Sequence, residues 1–212
     1  MSNVIQKPDC MKIDYSSEGM EKVMINLNYE TKPKENLLVF FLISIGTQII
    51  AYQVHEFGHY LVGMILGIEQ RFVLTGVMHE ELTNLHQALH SSGGLVVTLV
   101  LALISLILLI SSKKSNSYLL SFVYANTLLR IQPMVDSLVS KNMQYQDEYK
   151  IAESVEIPGQ LLCIISLVIF SAIFATAIYY SGKKKMLKVI VFIFASGVAA
   201  IIINTLGSVL FY

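Results

Sequence analysis

Long stretches without charge constrain this chain more than any other feature. Between Asn36 and Ile68 the only formally charged residue is Glu56, and 83–112, 115–129, 157–182 and 189–212 contain none. A membrane-spanning helix needs roughly 20 mainly apolar residues. Four of the five stretches reach that length, and 115–129 is marginal. The composition agrees: of 212 residues, 54% are hydrophobic and 14% charged, where a soluble domain carries about a quarter charged residues. Mean hydropathy is +0.61. Such a chain is neither a soluble single-core enzyme nor a disordered polymer. It is no nucleic-acid binder either, since its largest basic cluster is Lys183, Lys184 and Lys185. The expectation is an all-α polytopic membrane protein with about five transmembrane helices and a short β-element between the first two.

Residues 1–35 read as a polar N-terminal segment without the apolar core of a signal peptide, with a short strand over 22–30. The first apolar helix runs from Asn36 towards Ile68, where Gly67 and the charged residues after it supply a stop. Residues 71–78 read as a strand or a loop dipping into the membrane, which needs protein or a wet cavity around its backbone. Further apolar helices are expected over 92–110, 117–131, 159–181 and 187–211, with Pro133 ending the third. An amphipathic piece at 147–155 precedes the last two, which form a C-terminal helical hairpin over 157–212. If five crossings alternate, 11 of the 15 basic residues share a side with the N-terminus. The positive-inside rule then predicts a multi-pass protein with a cytoplasmic N-terminus. At about 1.5 Å per residue, however, the 15 residues of 117–131 reach only about 22 Å, so this third helix could be re-entrant.

The single acid in the first helix belongs to a motif, His55-Glu56-Phe57-Gly58-His59. Histidines at i and i+4 project from one helical face, so their imidazoles can close on one zinc ion. Glu56 then sits beside the metal, where it can take a proton from zinc-bound water. With 5 His and 11 Glu in the chain, a chance match to this pattern has an expectation of only ~0.006. Three ionisable groups inside an apolar helix are also costly, and rarely persist without a function or a partner.

A third protein ligand is needed, with water in the fourth position for catalysis. Asp136 and Asp147 lie beyond the third helix, where a fold-back would bring a carboxylate to the zinc. His79, His86 and His90 read as loop and interface residues. Arg130, at the end of the short third helix, reads as snorkelling to the interface. Gly63 and Gly67 form a small-x-x-x-small pattern that suits packing between helices of the same chain. Cys10 and Cys163 form neither a disulfide framework nor a metal pair.

Taken with Gly93-Gly94 at the next helix and the later run Asn126…Pro133…Asp136, the motif resembles the site-2 protease family of intramembrane zinc metalloproteases. The resemblance covers about residues 40–155. It implies a zinc metalloprotease core over 36–156 in which His55, His59 and an aspartate hold Zn2+ and Glu56 is the general base. It also implies that Asn126 helps hold substrate, and that the partners are a membrane protein or peptide substrate and the lipid bilayer. Where the family pattern has an Asp-Gly pair, this chain has Asp136-Ser137. The segment from Asp147 to Ala152 carries the same acid, basic and apolar spacing and opens an amphipathic helix. Asp147 is therefore the favoured third ligand and Asp136 the second choice. Two rival readings remain at this level: a membrane zinc peptidase of another class using Glu148 or Glu153, and a non-enzymatic membrane metal-binding protein.

Overall fold

The computed structural model describes residues 36–112, 116–182 and 184–211. The strand expected over 22–30 and the N-terminal segment lie outside the described residues. Helix α1 spans Leu37–Ile65 and is followed by an antiparallel hairpin, β1 (Gln70–Val73) and β2 (Gly76–His79). Then come α2 (Asn84–Ser111), α3 (Ser117–Ser140), the short α4 (Asp147–Ser154), α5 (Gly159–Tyr180) and α6 (Lys185–Phe211). Among the described residues, four helices are long and apolar enough to cross a membrane: α1, α2, α5 and α6. A mostly helical chain with four such segments is organised as a multi-pass membrane protein.

The helix ends follow local chemistry. The Asn36 side chain accepts from Leu38 N at 3.0 Å, and Asn116 does the same for Tyr118 N at 3.0 Å, each meeting a donor that a helix start leaves free. Gly67 ends the first helix in the left-handed region, at φ +69°. Gly63 has a different task from the one its spacing suggested. Its missing side chain makes room for Gln70 of the hairpin, whose amide donates to Tyr60 O.

Two boundaries depart from the sequence reading. Helix α2 begins at Asn84, two turns before its apolar stretch, because Thr83 caps it; His86 and His90 are therefore helical. Helix α3 does not stop at Pro133 but runs through it to Ser140. A proline inside a helix costs about 3 kcal/mol. Here the helix is held from both sides, with Met134 and Ser137 buried beyond the proline. Gln146 Nε2 also reaches back to Ser137 Oγ at 2.6 Å.

The packing is that of a bundle whose outside is as apolar as its inside. Ala51, Ala102, Ala125, Ala177, Ala195 and Ala199 are all essentially inaccessible, whereas Phe194, Val168 and Ile107 stand exposed on the outer faces. Lipid removes the usual drive to bury large apolar side chains, so small residues take the contacts where helices approach closely. Larger groups fill the centre: the Tyr124 ring lies 5.0 Å from Phe174 and 5.4 Å from Phe192, measured between centroids. Ser44 and Ser121 meet at 3.3 Å between α1 and α3.

Candidate metal centre

Helix periodicity puts His55 and His59 one turn apart on the buried face of α1. Their Nδ1 atoms are both occupied. His55 Nδ1 is 2.9 Å from Thr98 Oγ1, and that hydroxyl donates in turn to Gly94 O at 2.8 Å. The Thr98 oxygen must therefore accept from His55. His59 Nδ1 donates to the backbone carbonyl of His90 at 2.8 Å. Both tautomers are thereby fixed, leaving the two Nε2 lone pairs to face each other at 3.2 Å.

This geometry depends on three glycines at the seam between α1 and α2. A Cβ at Gly58 would come within 2.6 Å of Gly93 O, and one at Gly93 would strike Gly58 O. At Gly94 a Cβ would land on the Nε2 of His59 and lie 2.6 Å from His55 Cε1. Backbone thus meets backbone where the imidazoles need their partners.

The third group arrives by a fold-back. After α3 ends at Lys141, in the left-handed region at φ 60°, a 3₁₀ turn at Met143–Tyr145 reverses the chain and α4 begins at Asp147. The Tyr149 ring packs where a side chain on Gly159 would be, which holds α4 on the first turn of α5. Asp147 Oδ2 lies 3.4 Å from His55 Nε2 and 3.4 Å from His59 Nε2. Ligands bound tetrahedrally at about 2.0–2.1 Å are spaced about 3.3 Å apart. The three edges of 3.2, 3.4 and 3.4 Å match that spacing, so His55, His59 and Asp147 could hold a metal ion. The Arg130 guanidinium also faces this cluster, its Nη1 lying 3.3 Å from His55 Nε2 and 3.0 Å from Asp147 Oδ2.

Arg130 supports the carboxylate. It is 5% exposed, so it does not snorkel to an interface. Burying a guanidinium demands partners, and it has three: Asp147, Glu148 and His55, whose Nε2 lies 3.3 Å from Nη1. Its Nη1 donates to Asp147 Oδ2 at 3.0 Å, while Nε and Nη2 grip the Glu148 carboxylate, Nε at 3.2 Å. Ser166 of α5 donates to the same carboxylate at 3.1 Å. Burial alone would push the Asp147 carboxyl up. The adjacent imidazoles and the Arg130 guanidinium outweigh it and hold the carboxyl well below the ordinary carboxylate range.

A cavity of about 330 Å³ opens onto these groups. Glu56 lies in its wall beside Tyr52, whose hydroxyl donates to Thr75 O at 2.8 Å. Gly76 and Val77 of β2 form the facing side. The other residues singled out from the sequence fall elsewhere. Asp136 lines a second cavity rather than this one. Asn126 is fully buried, donates to Phe122 O at 2.9 Å and does not line the cavity. Glu148 is engaged by Arg130, and Glu153 is exposed.

Some groups were invisible from the sequence. His90 is no loop residue: its ring stacks on His59 at 5.2 Å between centroids, and its carbonyl fixes the His59 tautomer. Thr98 gave no signal at all. Arg130 gave one, a cation inside an apolar helix with two consecutive acids not far downstream. Comparisons with protein-family models, with curated proteins and with solved structures find no match for this chain.

Proposed function

We propose that this protein is an intramembrane zinc metalloendopeptidase of the site-2 protease kind, cleaving peptide bonds of membrane-embedded or membrane-proximal segments. The observation that carries the reading is the meeting of His55, His59 and Asp147 at tetrahedral spacing with Glu56 in the same cavity wall. Two neutral imidazoles and one carboxylate form a donor set that suits zinc and leaves a coordination position open. A cytoplasmic N-terminus is part of this reading, supported by the 11 of 15 basic residues that would share its side if five helices cross.

Zinc, when bound, supplies Lewis acidity that polarises a carbonyl and lowers the pKa of water towards about 7. The remaining work falls to the chain. Glu56 takes the proton of the attacking water on its carboxylate and passes it to the leaving amine. Thr98 and the His90 carbonyl keep the imidazoles in the tautomer that presents Nε2. Arg130, gripped by Glu148, keeps Asp147 ionised and oriented. A helical substrate hides its carbonyls in hydrogen bonds, so it must be extended before attack. The edge of β2 not paired with β1 runs beside the cavity and offers main-chain groups to such a strand.

The test is cleavage of membrane-anchored reporters by the wild type and by Glu56→Gln, with bound metal measured in both. The reading requires a cleaving wild type and a variant that keeps its zinc but does not cleave. Metal-loaded wild type that cleaves nothing would make the site structural or transport-related instead.

A further inference from the structure

A second cavity, of about 250 Å³, lies between α1, α3 and α6 and shares Tyr52, Leu129 and Pro133 with the first. Three polar stripes converge on it, each at helical spacing: Gln48 and Tyr52 on α1, Gln132 and Asp136 on α3, Ser196 and Asn204 on α6. Polar residues in apolar helices are retained where they meet a partner or a path. Here the partners are incomplete. Gln48 is 6% exposed, yet its Oε1 accepts no hydrogen bond. Gln132 Oε1 receives only a long contact of 3.4 Å from Ser196 Oγ. With the Asp136 carboxylate these make three acceptors around one space, and no lysine or arginine lines it. The first cavity differs, since Arg130 and Lys150 both face it.

We propose that this cavity is a specificity subsite for a basic side chain, lysine or arginine, of the substrate segment beside the cleaved bond. The aliphatic stem lies along Leu128, Leu129 and Ile203, and the N–H donors of the head meet Gln48 Oε1, Gln132 Oε1 and Asp136. The shared wall at Tyr52, Leu129 and Pro133 lets one extended chain occupy both cavities, its main chain near Glu56 and one side chain in the second. A site built to accept N–H donors disfavours a side chain that lacks them, because the buried Gln48 Oε1 then stays unpaired, while the exposed Gln132 and Asp136 add their acceptors at the mouth. The inference rests on the peptidase reading.

The experiment uses the full chain in lipid vesicles with membrane-anchored reporters. Each residue within about four of the cleaved bond is varied in turn among Lys, Arg, Leu and Glu, a reach set by strand spacing. One position should favour Lys or Arg over Leu by about tenfold or more in kcat/KM. Asp136→Asn and Gln48→Leu should each erode that preference while still cleaving the Leu reporter, and Asp136→Lys should turn it towards Glu. Cleavage without any basic preference overturns the subsite alone, as does a preference that survives in all three variants. No cleavage above that of Glu56→Gln overturns the subsite and the peptidase reading together.

Discussion

The two halves of α3 solve different problems. Its first turns bury Leu120, Val123 and Tyr124 in an apolar cluster with Phe170 and Phe192, held mainly by shape, with the Ser121–Ser44 contact beside it. Its last turns carry Arg130 into a chain of charged and polar partners that runs from Ser166 through Glu148 to Asp147 and the histidines. In lipid the first kind of contact loses the hydrophobic drive and keeps only dispersion, so errors are graded. The second kind is closer to all-or-none, because removing one member strands a buried charge. The groups that reach the candidate metal site lie in the half where mistakes cost most.

The comparison can be broken most sharply at Glu56. Glu56→Gln should lower reporter cleavage by about 10²–10⁴-fold while zinc content, read by atomic absorption, stays stoichiometric. Next comes Arg130→Ala, which leaves Glu148 buried without its cation and should cost about 3–5 kcal/mol, followed by denaturant titration in detergent. Pairing it with Glu148→Gln should recover part of that loss, and no recovery would mean Arg130 acts through Asp147 alone. Thr98→Val removes the oxygen that orients His55 and should weaken zinc binding by about 10–100-fold in a chelator competition, with little change in melting temperature. The apolar half should respond least. Phe192→Leu leaves a small void beside Tyr124 and should cost about 1 kcal/mol, with zinc affinity unmoved. A large effect of Phe192→Leu on zinc would erase the distinction between the two halves.

What the chain discloses about itself follows the range of each interaction. His55, Glu56 and His59 are readable because a helix converts their spacing into proximity without help from the rest of the fold. The helix at 147 is readable for the same reason, as its acids and apolar residues share one short period. That the Asp147 oxygen lands 3.4 Å from both imidazoles depends on the reversal after Lys141 and on Tyr149 packing over Gly159, which no local pattern encodes. Pro133 misleads for the converse reason. Its local penalty is real, but helices packed around it outweigh that penalty. His90 was hidden because α2 starts in polar sequence, so hydropathy marks the membrane-like part of the helix rather than its first residue.

The seam of Gly58, Gly93 and Gly94 has a mechanical consequence. Side chains can swing aside to let a neighbour pass, but main chain pressed on main chain has nothing to swing. The α1–α2 pair therefore behaves as one stiff plank carrying both imidazoles, and under the proposed peptidase reading a peptide would be admitted at the opposite flank. There α6 meets the hairpin through Gly207 and Thr75, a contact between separate elements that involves neither imidazole.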